Sequence, residues 1–187
     1  MKTFKLGAFF LILLVFLITH CLEAEAQVCK PSGNIKGRKS LGQCAMENDS
    51  NCCIDGKFYP IYRCSPTVSN QTKAVLTLNP FQGDVDGDGL CECDNEYHSG
   101  DTPIVALSTG WYNGGRRCLN YITINANGRS VKATVVDECN SSMGCDADHD
   151  YEPPCANNGV SASKAVWKAL GVSHDNWDKL NITWSDA

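Results

Sequence analysis

Three aspartates at alternate positions, Asp84, Asp86 and Asp88, precede Gly89 in the stretch "FQGDVDGDGLCECDNEYH" (residues 81–98). Calcium loops place side-chain oxygens at positions 1, 3 and 5 and a glycine at 6 in this way. They also need a bidentate glutamate at position 12. Counting from Asp84, that position is Asn95, and Glu96 comes one residue late. Cys91 and Cys93 fall inside the span, and no helical pattern flanks it. The stretch is therefore expected to be a Gly/Asp turn loop that holds no metal. A second acidic cluster, "DADHD", sets Asp146, Asp148, His149 and Asp150 between Cys145 and Cys155. Its residue types suit a metal but its spacing matches no ligand set, so a solvated loop is expected there. No cofactor is called for.

The remaining chemistry-bearing residues point to binding. Asp94 and His98, within "DNEYH", are candidates to line a groove. Trp111 and Tyr112 suit stacking on a sugar ring or anchoring a protein partner. Arg116 and Arg117 sit in a glycine-rich turn, exposed candidates for an acidic surface. Trp167 and Trp184 fall on elements where core packing is the better expectation.

These residues have to be positioned by a chain of 187 residues. Residues 1–26 open with Lys2 and Lys5, run through the apolar "LGAFFLILLVFLI" and reach Ala24 and Ala26, which reads as a secretory signal cleaved after Ala26. Its apolar run is short for a membrane span, so no membrane association is expected after cleavage. Cleavage removes two basic and two acidic residues, so the formal charge stays at −5, which argues against a nucleic-acid partner. The mature chain is expected to be secreted and extracellular. It carries eleven cysteines: Cys29, Cys44, Cys52, Cys53, Cys64, Cys91, Cys93, Cys118, Cys139, Cys145 and Cys155. In an exported chain these read as disulfides, and an odd count leaves at least one over. Asn48, Asn70, Asn140 and Asn181 each begin an Asn-x-Ser/Thr sequon for N-glycosylation.

Residues 27–66 form a cysteine-rich region with few large apolar groups, and residues 67–187 are expected to form the main domain. There "KAVLTLN", "IVALSTGWY", "CLNYITIN", "SVKATVVDEC" and "NITWS" read as strands, rich in β-branched and aromatic residues between Gly, Asn and Pro. Asn127-Gly128 predicts a tight hairpin with Val131, Ala133 and Val135 on one face. In "SASKAVWKALG", Ala162, Ala165, Val166, Ala169 and Leu170 repeat at helical spacing, with Ser161 as the expected N-cap and Gly171 as the stop. The pattern describes a small, mainly β barrel with one or two short helices.

The motifs "CKPSG", "CSP", "STGWYNGGRRC", "NGRSVKATVVDEC", "GCD", "PPC" and "SKAVWKALG...ITWS" occur in order over nearly all of the mature chain. In these the chain resembles the plant kiwellin and ripening-related proteins. The resemblance implies a six-stranded double-psi β-barrel like that of barwin and the expansins, an apoplast or cell-wall setting, and a part in defence or ripening. It also implies that Cys93 fills the family's position before "DNEYH", making Cys91 the candidate for the odd thiol. Asp137 stands where barwin-like and enzymatic relatives place an aspartate at their groove; a turn-bonding role is an equal alternative. Those enzymes carry a second aspartate just before the helix. Here that position is Ser161, which cannot act as an acid or base near neutral pH.

The expected function is therefore protein binding without catalysis, with secreted pathogen enzymes such as chorismate mutases as the partner class implied by the resemblance. Cell-wall carbohydrate binding or wall loosening is the alternative, and a storage role without a specific ligand is a third. Calcium is expected to have no effect: millimolar calcium should leave the melting temperature unchanged. A rise that disappears in Asp84→Ala or Asp88→Ala would overturn this, because a ligand bound only to the native state must stabilise it.

Overall fold

The computed structural model describes residues 28–38, 52–79, 81, 89–149 and 151–187. The signal segment, Cys44, Asn48, the Asp84, Asp86 and Asp88 triplet and Asp150 lie outside these residues. Two strands, β1 (Gly33–Lys36) and β2 (Phe58–Ile61), pair antiparallel as a separate sheet. Six more form a closed barrel: β3 (Thr72–Leu78), β4 (Ile104–Ser108), β5 (Tyr121–Ala126), β6 (Arg129–Cys139), β7 (Gly159–Ala162) and β8 (Lys179–Asp186). Around the barrel the order is β3-β7-β4-β6-β5-β8. The β3/β7 and β4/β6 pairs are parallel and the other four antiparallel.

Each barrel strand turns two alternate residues into one shared core, as a period of two requires. They are Ala74 and Leu76, Val105 and Leu107, Ile122 and Ile124, Ala133 and Val135, Val160 and Ala162, and Ile182 and Trp184. Strand β4 is buried along its whole length, because Ile104 and Ala106 enter a second cluster with Phe81, Cys91 and Val136. A strand covered on both faces reads as an unbroken apolar run, which "IVALS" is. The β5–β6 hairpin turns at Asn127 and Gly128, both at positive φ (52° and 69°), as the Asn-Gly pair predicts.

Two segments depart from the expected elements. The end of "IVALSTGWY" is not strand: Thr109–Tyr112 forms a short helix, α1, directly after β4. Ser161 is not a helix cap: it lies in β7, and Ser163 holds the N-cap position of helix α2 (Lys164–Ala169). The Ser163 hydroxyl donates to the Thr102 carbonyl (2.7 Å) and accepts from the Ile104 N–H (3.3 Å), so it ties β4 to the start of α2. β7 is too short, at four residues, to carry a strand signal of its own.

Four disulfides join described residues: Cys29–Cys64, Cys53–Cys145, Cys93–Cys118 and Cys139–Cys155. Cys52 is disulfide-bonded as well. Cys91 is buried in the second cluster. Of the sequon asparagines, Asn70 and Asn181 are exposed, whereas Asn140 Oδ1 accepts the N–H groups of Ser142 and Met143.

The segment after the N-terminal sheet, residues 64–66, is docked on α1. Trp111, expected to be exposed for binding, is instead 1% exposed: its Nε1 donates to the Pro66 carbonyl at 2.7 Å, and its ring meets Trp184 edge-on at 5.0 Å. A large aromatic with one polar atom suits a site where that atom finds a carbonyl, and here the carbonyl belongs to the docked segment. Beside it Gly110 packs against the backbone of Cys64 and Ser65, where a Cβ would collide with Ser65 N and Oγ. Gly110→Ala should therefore cost about 1–3 kcal/mol by overpacking and loosen the docked segment. Limited proteolysis should then cut within residues 52–66 faster than in the wild type, with a lower melting temperature; unchanged cleavage would show that the contact is not needed.

Candidate functional site

The outward face of the barrel carries a row of four residues on adjacent strands. Thr77 on β3 pairs with Ser161 on β7, Ser161 with Ala106 on β4, and Ala106 with Asp137 on β6. Asp137 reaches this level through a register shift: Val105 faces Val135 but Ala106 faces Asp137, so Val136 is the extra residue of a bulge. Bulges re-aim side chains in this way. Asp137 and Ser161 thus flank Ala106.

Asp137 Oδ1 accepts the N–H of Glu92 at 2.9 Å and that of Glu138 at 2.8 Å. The first bond fastens the loop 91–98 to β6, and the Cys93 N–H does the same by donating to the Val136 carbonyl at 3.1 Å. Burial pushes the Asp137 carboxyl above the ordinary aspartate value. The two N–H groups oppose that rise, and the Glu92 and Glu138 carboxylates add to it. Glu138 Oε1 accepts the Thr109 hydroxyl at the start of α1. The Tyr112 phenol faces the same charges: burial first, then Glu92, Glu138 and Asp137, raise its pKa. Its oxygen lies 3.6 Å from the Cys118 sulfur, beneath the Cys93–Cys118 bridge. Tyr112 is therefore buried, correcting the expectation of an exposed ring, while its hydroxyl feels the charges of Glu92, Glu138 and Asp137.

Asp94 and His98 lie on the same loop. His98 Nε2 is 3.1 Å and 3.2 Å from the two Asp94 oxygens, and Asp94 Oδ1 also accepts the Glu96 N–H. In the "DADHD" stretch, His149 Nδ1 pairs with Asp146 Oδ1 at 2.6 Å, a local turn contact. Among the described residues no group of three or more His, Cys, Asp or Glu is placed to hold a metal ion.

The two arginines lie apart from this pocket and differ from each other. Arg117 bonds both oxygens of Asp186 (2.9 Å and 3.2 Å), donates to the Trp111 carbonyl (2.8 Å) and lies over the Trp184 ring at 5.6 Å. It holds α1 to the end of β8. Arg116 is exposed and lines a recess of about 430 Å³ with Asn113, Asn120, Tyr121 and Asp186. The candidate set thus divides into an acidic cluster (Tyr112 and Asp137, with Glu92 and Glu138), a local Asp94–His98 pair on the loop 91–98, a cationic recess (Arg116, Arg117) and a core anchor (Trp111). Sequence reasoning missed Glu92, Glu138, Thr109 and Tyr121. Only the adjacency of Glu138 to Asp137 offered a signal, since the others are brought in by the bulge, by the disulfide and by the β5 register.

One half-buried carboxyl, Asp137, has a raised pKa. Cleaving a glycosidic bond generally needs two carboxyl groups across the bond. Across Ala106 from Asp137 stands the Ser161 hydroxyl, already 3.0 Å from the Thr77 hydroxyl.

A closed six-stranded mixed barrel with a docked, cystine-linked N-terminal sheet defines a class of small cystine-rich β-barrel proteins. Within that class the chain belongs to the kiwellin family: the family model described as Kiwellin-1 matches residues 17–187. It is 50% identical to putative ripening-related protein 2 of Oryza sativa subsp. japonica over 159 residues, covering 85% of this chain and 80% of that one. It is 49% identical to kiwellin of Actinidia chinensis var. chinensis over 160 residues, covering 85% of this chain and 67% of that one. A Clavibacter michiganensis expansin structure overlays with a TM-score of 0.44 at 20% identity, over 63% of this chain and 50% of that one. That likeness is too slight to bear on function.

A carboxyl with a raised pKa keeps its proton to higher pH when folded than when unfolded. Between the ordinary aspartate value and the raised one the folded state binds more protons, so stability falls as pH rises through that window. Asp137→Asn has no such titration. Denaturant unfolding across pH should therefore show wild-type stability, relative to Asp137→Asn, falling as pH rises through the window and level above it. A relative stability that grows with pH would mean that the two N–H bonds outweigh burial.

Proposed function

We propose that this protein is secreted and acts by binding other proteins, without catalysis. The observation that carries this reading is the use of Asp137: its Oδ1 holds the Glu92 and Glu138 N–H groups, and the position across Ala106 is Ser161. A carboxylate committed to fastening a loop, with no carboxyl opposite it, suits a scaffold better than an acid/base pair. The disulfide frame supports secretion, since such bonds persist in oxidising compartments. None of the described helices is long and apolar enough to cross a membrane. Rigid loops lose little ordering entropy on binding, which favours recognition of a folded partner. Membership of the kiwellin family supports secreted pathogen enzymes, chorismate mutases among them, as the partner class in the apoplast.

A glycan-binding or wall-loosening role is the second reading. Its support is the raised Asp137 carboxyl, beside the Tyr112 phenol and the Glu92 and Glu138 carboxylates. The two readings part in one assay. The secreted protein, incubated with cellulose, xyloglucan, chitin and peptidoglycan, should release no fragments detectable by mass spectrometry, and Asp137→Asn should behave alike. Used as bait in infected apoplastic fluid, it should retain a pathogen protein. Oligosaccharides that appear with the wild type and vanish with Asp137→Asn would put the glycan reading first.

A further inference from the structure

Resting on the protein-binding reading, we infer that the recess beside Arg116 and Tyr121 receives an aspartate or glutamate side chain from the partner's surface. The chain as a whole is acidic, at −5, yet this face presents cations. Arg117 is neutralised by Asp186, whereas the Arg116 guanidinium has no hydrogen-bonding or ionic partner among the described residues. Lys132 lies 4.4 Å from the Tyr121 ring centre and likewise has no carboxylate partner among them. A planar guanidinium matches a carboxylate with two parallel bonds, which a free, exposed arginine is ready to make.

The surroundings fit a protein contact. Tyr121, which lines the recess with Arg116, is 51% exposed, so an aromatic side chain borders the cation. Tyrosine and arginine together are the residue types in which binding energy concentrates. The turn that carries them is fixed in advance. Asn113 sits in the left-handed region with its N–H on the Thr109 carbonyl, and the Cys118 N–H donates to Gly115. The Leu119 N–H donates to Val135, and Cys118 is bridged to Cys93. A site already ordered loses little on binding.

The lining favours a side chain over a carboxylated polysaccharide. Asn113, Asn120, Asp186 and Ala187 complete the recess, and Lys132 already covers part of the Tyr121 ring on which a sugar would stack.

The test is a two-dimensional amide NMR titration of the full secreted protein. The probes are a short Gly/Ser peptide bearing three glutamates, the same peptide with glutamines, and oligogalacturonate. The glutamate peptide should shift the Arg116, Asn120 and Tyr121 amides saturably. Arg116→Glu, with an otherwise unchanged spectrum, should weaken binding about tenfold or more, while Lys164→Glu should not. Equal shifts with the glutamine peptide, no shifts in the recess, or occupation by oligogalacturonate in place of the peptide would overturn the inference. Capture of the same pathogen protein by wild type and Arg116→Glu alike would overturn the recess and leave the binding reading intact. Glycan fragments released by a wild type that still binds the glutamate peptide there would do the reverse.

Discussion

Closure of the barrel is the constraint on which the rest depends. An open six-stranded sheet would expose two edges, each a row of unpaired N–H and C=O groups. Here β3 pairs with β8 on one side and with β7 on the other, so no barrel edge remains. Closing the sheet forces alternate residues of all six strands inward, and this gives the barrel one continuous core. It also fixes what faces outward. Once Val105 and Leu107 point in, Ala106 must point out, and its neighbours Asp137 and Ser161 come out with it.

The bulge at Val136 turns this geometry into a site. With strict pairing, Ala106 would face Val136 and Asp137 would take the next level. The extra residue sets Asp137 beside Ala106, within reach of the loop that follows Phe81. The loop is then held three times: by the Asp137 carboxylate, by the Val136 carbonyl, and by the Cys93–Cys118 bridge. The same bridge fixes the turn bearing Arg116. The loop beside Asp137 and the turn bearing Arg116 are therefore joined through one bridge.

What the sequence made legible follows the strength of local signals. Alternation in "SVKATVV" and the Asn127-Gly128 turn yield the β5–β6 hairpin directly, because both signals are local. β7 was hidden because "GVSA" is short and its small residues also suit the start of a helix. That ambiguity misplaced the cap from Ser163 to Ser161. Trp111 misled for a different reason. Next to Gly and Tyr in a polar turn, a tryptophan looks like a surface anchor, and only the docking of residues 64–66 supplies its Pro66 acceptor. Contacts between residues 45 apart in sequence leave no periodicity to read. The cysteines marked the chain as cross-linked, but their pairing is a three-dimensional fact.

The division of labour among the acids bears on why such a barrel would bind and not cut. Acid/base catalysis needs a carboxyl that can exchange its proton and reach the substrate. Asp137 meets the first need, since burial raises its pKa, but its Oδ1 already accepts two backbone N–H groups. Ionisation strengthens those bonds and protonation weakens them, so a proton cycle at Asp137 would work against the anchor of its own loop. Ser161 removes the opposing group and replaces it with a hydroxyl bonded to Thr77. The polar row is left able to stiffen the surface while the loops above it vary. That is the property a binding scaffold needs: the barrel holds its geometry, and under the proposed reading specificity would rest with exposed side chains such as those of Arg116 and Tyr121.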